Sequence, residues 1–569
     1  MKKFFLALVL LFIFNNVFAA TYYVRTDGGT TAQCNGLANS KYPGSGSNQS
    51  CAWHHPYDAL PPQGDGGTPM VRLHGGDTLI IGGGSYEMGL NAPDAKAYPA
   101  CNQSWSWDCI MPSIPSGTST TPTRILGAGW DSGCSAPPEL WGSEHAAQVF
   151  TLNKSSYVTI GCLEITDHAS CIEMHLNGNS PYACNRTSPP FGNWASRAIY
   201  AQDSSNVTLQ DLNIHSMANR GILAGRLSNW TVTRVRLYAN GWAGWDGDLA
   251  QSAGSSDSGQ MTFDGLEAGF NGCGETWPDK KIFGCWGQAE QGYGDGFGEA
   301  KTGANWTFKN SYFHHNTQDG LDLLYADGTG SITVQATHAE GNAGNQVKLS
   351  GNSTVENSLL IGNCSYFQGI GYMSGNNSGG ANTSGDMCRA MGNTLVVSLQ
   401  PGKHSTVRYN TLTGQGDCLL LAINGDSTSG VAIQNNAFVG KPDWVKANQS
   451  PQPQSCWFYW DSGPSSWPVS YAGNLLYQVK DNACPAGANV CNKDPQFANE
   501  SLSAFDATPT STSSPVVNAA STSITLATDL RARPRPTLGG YDIGAIQYQG
   551  SCEDAIFQTN FSSASPTCI

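Results

Sequence analysis

Short runs in which apolar and polar residues alternate recur along the chain, each too short and too rich in β-branched residues to read as a helix. Aligned on one central position they are YVTI at Thr159, NVTL at Thr208, NWTV at Thr231, QMTF at Thr262, NWTF at Thr307, SITV at Thr333, NSTV at Thr354, HSTV at Thr406, GVAI at Ala432 and PVSY at Ser470. Where no insertion intervenes the anchors fall 21 to 26 residues apart. A period of that length, filled by strands and turns, predicts a β solenoid. A second marker is independent of the alignment: nine residues after five consecutive anchors stand Asn240, Asn271, Asn316, Asn342 and Asn363. Asparagine at a repeated turn can bond its amide along the stack, as in an asparagine ladder. With three short strands per coil, the pattern predicts an all-β fold, a right-handed parallel β-helix. A propeller would need a period near about 40 and its own markers.

The predicted β-helix domain runs over residues 21–549, with its most regular coils over 150–480. TYYVRTDGG from Thr21 and GGDTLIIGGGSYEMG from Gly75 read as opening strands, and DIGAIQYQ from Asp542 as the last. The Ser-, Thr- and Pro-rich stretch from Ala504 to Thr528 is expected to cross the surface, and residues 550–569 to form a small disulfide-closed tail.

Composition narrows the classes. With 67 Gly and 29 Pro in 569 residues and only 13% charged residues, a coiled coil, a helical bundle and a disordered acidic chain are excluded. A formal net charge of -14 argues against nucleic acid as a partner. Residues 1–20, with Lys2, Lys3, an apolar run to Phe14 and small residues at Val17 and Ala19, read as a secretory signal peptide. No later segment reads as a membrane span, so the expectation is a monomer secreted to the extracellular space or periplasm. All 18 cysteines follow that segment, as expected of disulfides in an oxidising compartment. The expected local pairs are Cys34 with Cys51, Cys101 with Cys109, Cys171 with Cys184, Cys273 with Cys285, Cys484 with Cys491 and Cys552 with Cys568.

The repeat also shows which side chains meet, because equivalent positions of successive coils stack about 4.8 Å apart. After Thr307 come Asp319, Leu321, Asp322 and Leu323, and at the same offsets after Thr333 come Asn345, Val347, Lys348 and Leu349. Alternation turns the aliphatic residues inward and Asp322 and Lys348 outward, side by side. One coil earlier GDGFGEAK aligns Asp295 with Asp319 and Phe297 with Leu321. Earlier again RGILAG aligns Arg220 with Asp295. The patch thus holds Asp295, Asp319 and Asp322, with Lys348 on the next coil and Gln318 at its edge. Carboxylates so close repel unless a cation lies among them, and Ca2+ suits several hard oxygen ligands.

The segments GDGFGEAK (Gly294 to Lys301), NTQDGLDLLY (Asn316 to Tyr325) and GNQVKLSGN (Gly344 to Asn352) resemble the three consecutive coils that build the active site of family 9 polysaccharide lyases, the pectate lyase L type. The resemblance implies a pectate lyase-like enzyme that cleaves an acidic, uronate-containing polysaccharide by calcium-assisted β-elimination. It makes Asp295, Asp319 and Asp322 calcium ligands and Lys348 the base. Where the family has two adjacent aspartates before the glycine, this chain has Gln318 and Asp319, so one ligand is an amide oxygen without charge.

The insertion between Asn271 and Asp295 carries Trp277, Trp286 and Tyr293, whose rings suit either sugar stacking or the covering of a helix edge. Arg220, Lys301 and Lys309 are candidates for substrate carboxylates or plain surface charges. Two rival functions stay open from sequence: a glycoside hydrolase on the same fold, using a carboxylate pair such as Asp319 and Asp322, and a carbohydrate-binding β-helix without catalysis.

Overall fold

The structure is a computed structural model that describes residues 19–63, 71–173, 182–250, 257–287, 294–299, 303–325, 329–363, 366–367, 373–374, 392–441, 456–480, 483–536 and 539–550. Residues 1–18 of the expected leader and 551–569 of the expected tail, including Cys552 and Cys568, lie outside them. Among the described residues no helix is long and apolar enough to cross a membrane.

Every predicted anchor stands opposite the next in parallel pairing, from Thr159 against Thr208 through Thr231, Thr262, Thr307, Thr333, Thr354, Thr406 and Ala432 to Ser470. Each coil turns after the anchor strand into a second parallel stack, for example Glu267–Gly269, Tyr312–His314, His338–Glu340 and Leu359–Gly362. A further turn leads to a third, ten-stranded stack that follows the chain from Phe150–Thr151 to Tyr459–Asp461. Parallel crossovers are right-handed almost without exception, and the chain is a right-handed parallel β-helix with disulfide-closed loops.

The inside of the helix is apolar. Leu321, Leu323, Val347 and Leu349 are fully buried, and behind the third stack Trp245 lies on Phe297 with ring centroids 5.1 Å apart. Each such side chain contributes about 1.5–3 kcal/mol of apolar burial, so the floor beneath the outward residues of this sheet is rigid. At the turn before the third stack, Asn240 donates to Asn271 at 3.0 Å, Asn271 to Asn316 at 2.9 Å and Asn316 to Asn342 at 2.7 Å. The next acceptor is not the expected Asn363. Asn342 donates to Gln346 Oε1 at 2.8 Å, because Gln346 reaches back four residues and ends the ladder within its own coil. A second ladder occupies the other turn, where Asn410 donates to Asn436 and Asn436 to Asn474.

Two sequence readings are corrected. DIGAIQYQ is no strand: Asp542 accepts from the Asn518 and Tyr548 amides, Gly544 donates to the Asn435 carbonyl, and Ile543 and Ile546 are buried. The segment from Ala504 to Thr528 does more than cross the surface. Asp506–Pro509 pairs antiparallel with Phe497–Asn499, and Phe505, Ala507 and Val516 pack with Ile361, Ala437 and Val439 of the second stack. Five expected local disulfides form, and two longer links, Cys134–Cys162 and Cys418–Cys456, join adjacent coils that sequence proximity does not reveal. The Thr21–Gly29, Thr78–Ile81 and Ser85–Met88 strands stand where expected.

Candidate active site

Three strands of the third stack carry the site. Phe297 pairs with Leu321 and Leu321 with Val347, which sets Asp322 directly beside Lys348 on the outward side, in the register read from the offsets. Asp295 and Asp319 stand in the turns that enter these strands. One oxygen from each of Asp295, Asp319 and Asp322 lies within 4.8 Å of the other two, and all three residues are buried. The Lys348 ammonium donates to Asp319 Oδ2 at 2.9 Å and to Asp322 Oδ2 at 2.8 Å.

Backbone and amide donors aim the carboxylates. The Asp319 amide donates to Asp295 Oδ1 at 3.0 Å, and the Leu324 amide to Asp322 Oδ1 at 2.9 Å. Asn345 holds Asp319 Oδ1 twice, from its backbone at 2.6 Å and its side chain at 2.9 Å. Gly344 permits this approach, since a Cβ there would stand 2.3 Å from Asp319 Oδ1. Asn345 had no role in the sequence reading. Its signal was its place opposite Asp319 one coil on.

The electrostatics follow from one ammonium among three carboxyls. Burial pushes Asp295 well above the usual carboxylate range, and Asp319 and Asp322 push it further. Asp319 goes down: burial opposes this, but Lys348 and the Asn345 donors outweigh it. Asp322 goes up, because burial together with Asp319 exceeds the pull of Lys348. Burial alone would lower Lys348, yet Asp319 and Asp322 hold it well above its ordinary value. Lys348 is therefore a firm ammonium while both aspartates face it.

The donor set suits a hard divalent cation. Besides three carboxylates, Gln318 Oε1 and Asn345 Oδ1 are buried oxygens without a hydrogen-bond donor among the described residues. Gln318 thus offers an oxygen where the family pattern has a carboxylate.

Other expected site residues are placed differently. Arg220 keeps its column but lies one coil further away, because the short strand Ala243–Asp246 intervenes: Arg220 pairs with Ala243, and Trp245 with Phe297. Its guanidinium is ion-paired with Asp246 and lies 3.7 Å over the Trp242 ring. Trp277 is 40% exposed but stacks on His168 at 3.5 Å, and His168 on Trp141 at 4.1 Å, over the second stack rather than the third. Lys309 pairs with Asp264 on the anchor sheet at 3.0 Å. The Trp286–Gly287 strand pairs with Met373–Ser374, while the Trp286 side chain, Tyr293 and Lys301 lie outside the described residues.

No family model matches the chain, and no curated protein matches it. Among solved structures, the pectate lyase Pel9A is 13% identical, with 93% of this chain and 96% of that chain covered at a TM-score of 0.40. A rhamnogalacturonan lyase is 11% identical over 85% of this chain and 92% of that one, with a TM-score of 0.38. An alginate lyase from Paenibacillus sp. str. FPU-7 is 11% identical over 70% and 91%, with a TM-score of 0.34. At these scores the likenesses carry nothing about the chemistry, which rests on this chain's own side chains.

Proposed function

We propose that the protein is a secreted lyase that cleaves an acidic, uronate-containing polysaccharide by β-elimination, with Lys348 as the base. The observation that carries this reading is the contact of one nearly buried lysine with two aspartates of the preceding coil, with a third carboxyl from the coil before that beside them. A surface ion pair has no need of three buried carboxyls, whose burial is costly without a further cation.

Asp295, Asp319 and Asp322, with Gln318 Oε1, would hold a calcium ion, whose charge would neutralise a uronate carboxylate and so acidify the adjacent C5 hydrogen. With their charge taken up by that ion, Asp319 and Asp322 would no longer hold the Lys348 proton, and burial, which lowers a lysine's pKa, would govern it. Neutral Lys348 accepts the C5 proton. The C5–H electron pair forms the C4–C5 double bond as the C4–O4 bond breaks, and the leaving oxygen takes a proton from solvent. Asn345 keeps Asp319 oriented throughout. The seven disulfides among the described residues fit an oxidising compartment outside the cytoplasm.

The test is incubation with polygalacturonate, alginate and glycosaminoglycans, with and without calcium, following absorbance of the unsaturated product. Calcium-dependent absorbance that disappears in Lys348→Ala supports the reading. New reducing ends without that absorbance would make the protein a hydrolase, and binding without turnover on every polymer would make it a binding protein.

A further inference from the structure

The third stack continues past Lys348 with a different chemistry. In the column of outward residues, Lys348 pairs with Val396, Val396 with Leu421 and Leu421 with Tyr459. Tyr459 is thus three rungs from the proposed base, about 14 Å at the usual strand spacing. Tyr459 is 48% exposed, and its ring meets that of Trp467, itself 41% exposed, edge to face at 5.6 Å. Trp467 is braced from behind by buried Phe458 at 5.6 Å, and the strand is pinned by Trp460, whose indole donates to the Asn424 carbonyl at 2.7 Å. Two exposed rings held this firmly form a prepared surface.

Charge divides the face at Lys348. On the N-terminal side the strands Arg197–Gln202, Arg220–Gly225, Ala243–Asp246 and Leu321–Leu323 carry Arg197, Arg220, Asp246 and Asp322. On the C-terminal side the strands Leu395–Leu399, Leu420–Asn424 and Tyr459–Asp461 carry a single charged residue, Asp461, which is acidic. A uronate carboxylate lying there would find no cation on these strands and one repelling carboxylate. The apolar face of a sugar ring, in contrast, finds aromatic partners.

We propose that Tyr459 and Trp467 form a stacking subsite for an uncharged sugar residue of the polysaccharide whose free uronate lies at Lys348. This rests on the lyase reading above and sharpens it: the substrate is a mixed or partly esterified polyuronate, with the uncharged residue a few pyranose units from the cut on the C-terminal-coil side.

The experiment measures binding, so turnover is not needed. Retardation of the Lys348→Ala protein is followed in native gels containing calcium and either polygalacturonate or highly methyl-esterified pectin. Adding Tyr459→Ala or Trp467→Ala is expected to weaken binding to the esterified polymer about tenfold, the loss of one contact of about 1.4 kcal/mol, and to leave polygalacturonate within about twofold. Tyr459→Phe, which keeps the ring, should retain binding, and matched thermal unfolding shows that the variants fold. Equal weakening on both polymers, or none on either, overturns the subsite. The lyase reading has its own readout in the protein with Lys348 intact: ring-dependent retention with no unsaturated product from that protein refutes the lyase and keeps the subsite, whereas unsaturated product from it with ring-independent retention does the reverse.

Discussion

Replacing Lys348 by methionine keeps the apolar stem and removes the charge. Asp319 and Asp322 lose donors at 2.9 and 2.8 Å, and Asp319, fully buried, keeps only the two Asn345 donors on its other oxygen. Breaking a buried pair by removing one partner costs about 3–5 kcal/mol. Protonation offsets part of this, since Asp322 and Asp295 are already raised, so about 2–3 kcal/mol is expected at neutral pH. The sign with pH follows. Without the ammonium, Asp319 joins its neighbours with a folded-state pKa above its unfolded value of about 3.9, so the penalty is absent in acid and grows as pH rises through the raised pKa values. Calcium should reverse the effect, because a cation among the oxygens replaces the lost charge. Urea unfolding of wild type and Lys348→Met, each in chelator and in millimolar calcium, measures this. Calcium should stabilise the variant more than the wild type. Equal calcium shifts, or a variant as stable as wild type at pH 8 in chelator, would refute the argument that these carboxylates need a cation.

Asn316→Ala removes the acceptor for the Asn271 amide and side chain at 3.0 and 2.9 Å and the donor to the Ala268 carbonyl at 2.9 Å; with buried groups left unpaired, about 3 kcal/mol should be lost in urea unfolding. Asp257, pushed up to about 7 chiefly by burial, pairs with Glu299, which burial and then Asp257 hold well above its ordinary value. The raised Asp257 stabilises the fold fully below about 3.9 and loses that contribution as pH rises through about 7, so Asp257→Asn should flatten the stability profile between pH 4 and 7. Trp277→Ala should lower the melting temperature through loss of the His168 stack and leave calcium affinity within about twofold; a large fall in calcium affinity would bring that ring back to the site.

The legible parts of the sequence were those under a repeated constraint. Anchors such as Thr307 and Thr333 are fixed by neighbours on both sides, so a one-residue slip would turn Phe308 and Val334 outward, and alternation alone sets their register. The same logic placed Asp322 beside Lys348. Where a single local contact decides, the reading failed. Arg220 was set one coil too close because Ala243–Asp246 is four residues long and its Trp245 gave no anchor signal. Gln346 ended the ladder by reaching back within its own coil, which no periodicity encodes. Trp277 left the site because His168, more than a hundred residues earlier in the chain, offered its ring a partner. Tyr459 went unnoticed, although its column was readable once the third stack was followed past Lys348.

Elimination and hydrolysis of a uronate linkage differ in whether water enters the products. Cleavage of the polymer in water labelled with heavy oxygen, followed by mass spectrometry of the fragments, tests this at the bond itself. Elimination predicts one new end lighter by a water molecule and no heavy oxygen in either fragment, with products absent in Lys348→Ala. Fragments that carry the label at the new reducing end would show hydrolysis and contradict the account.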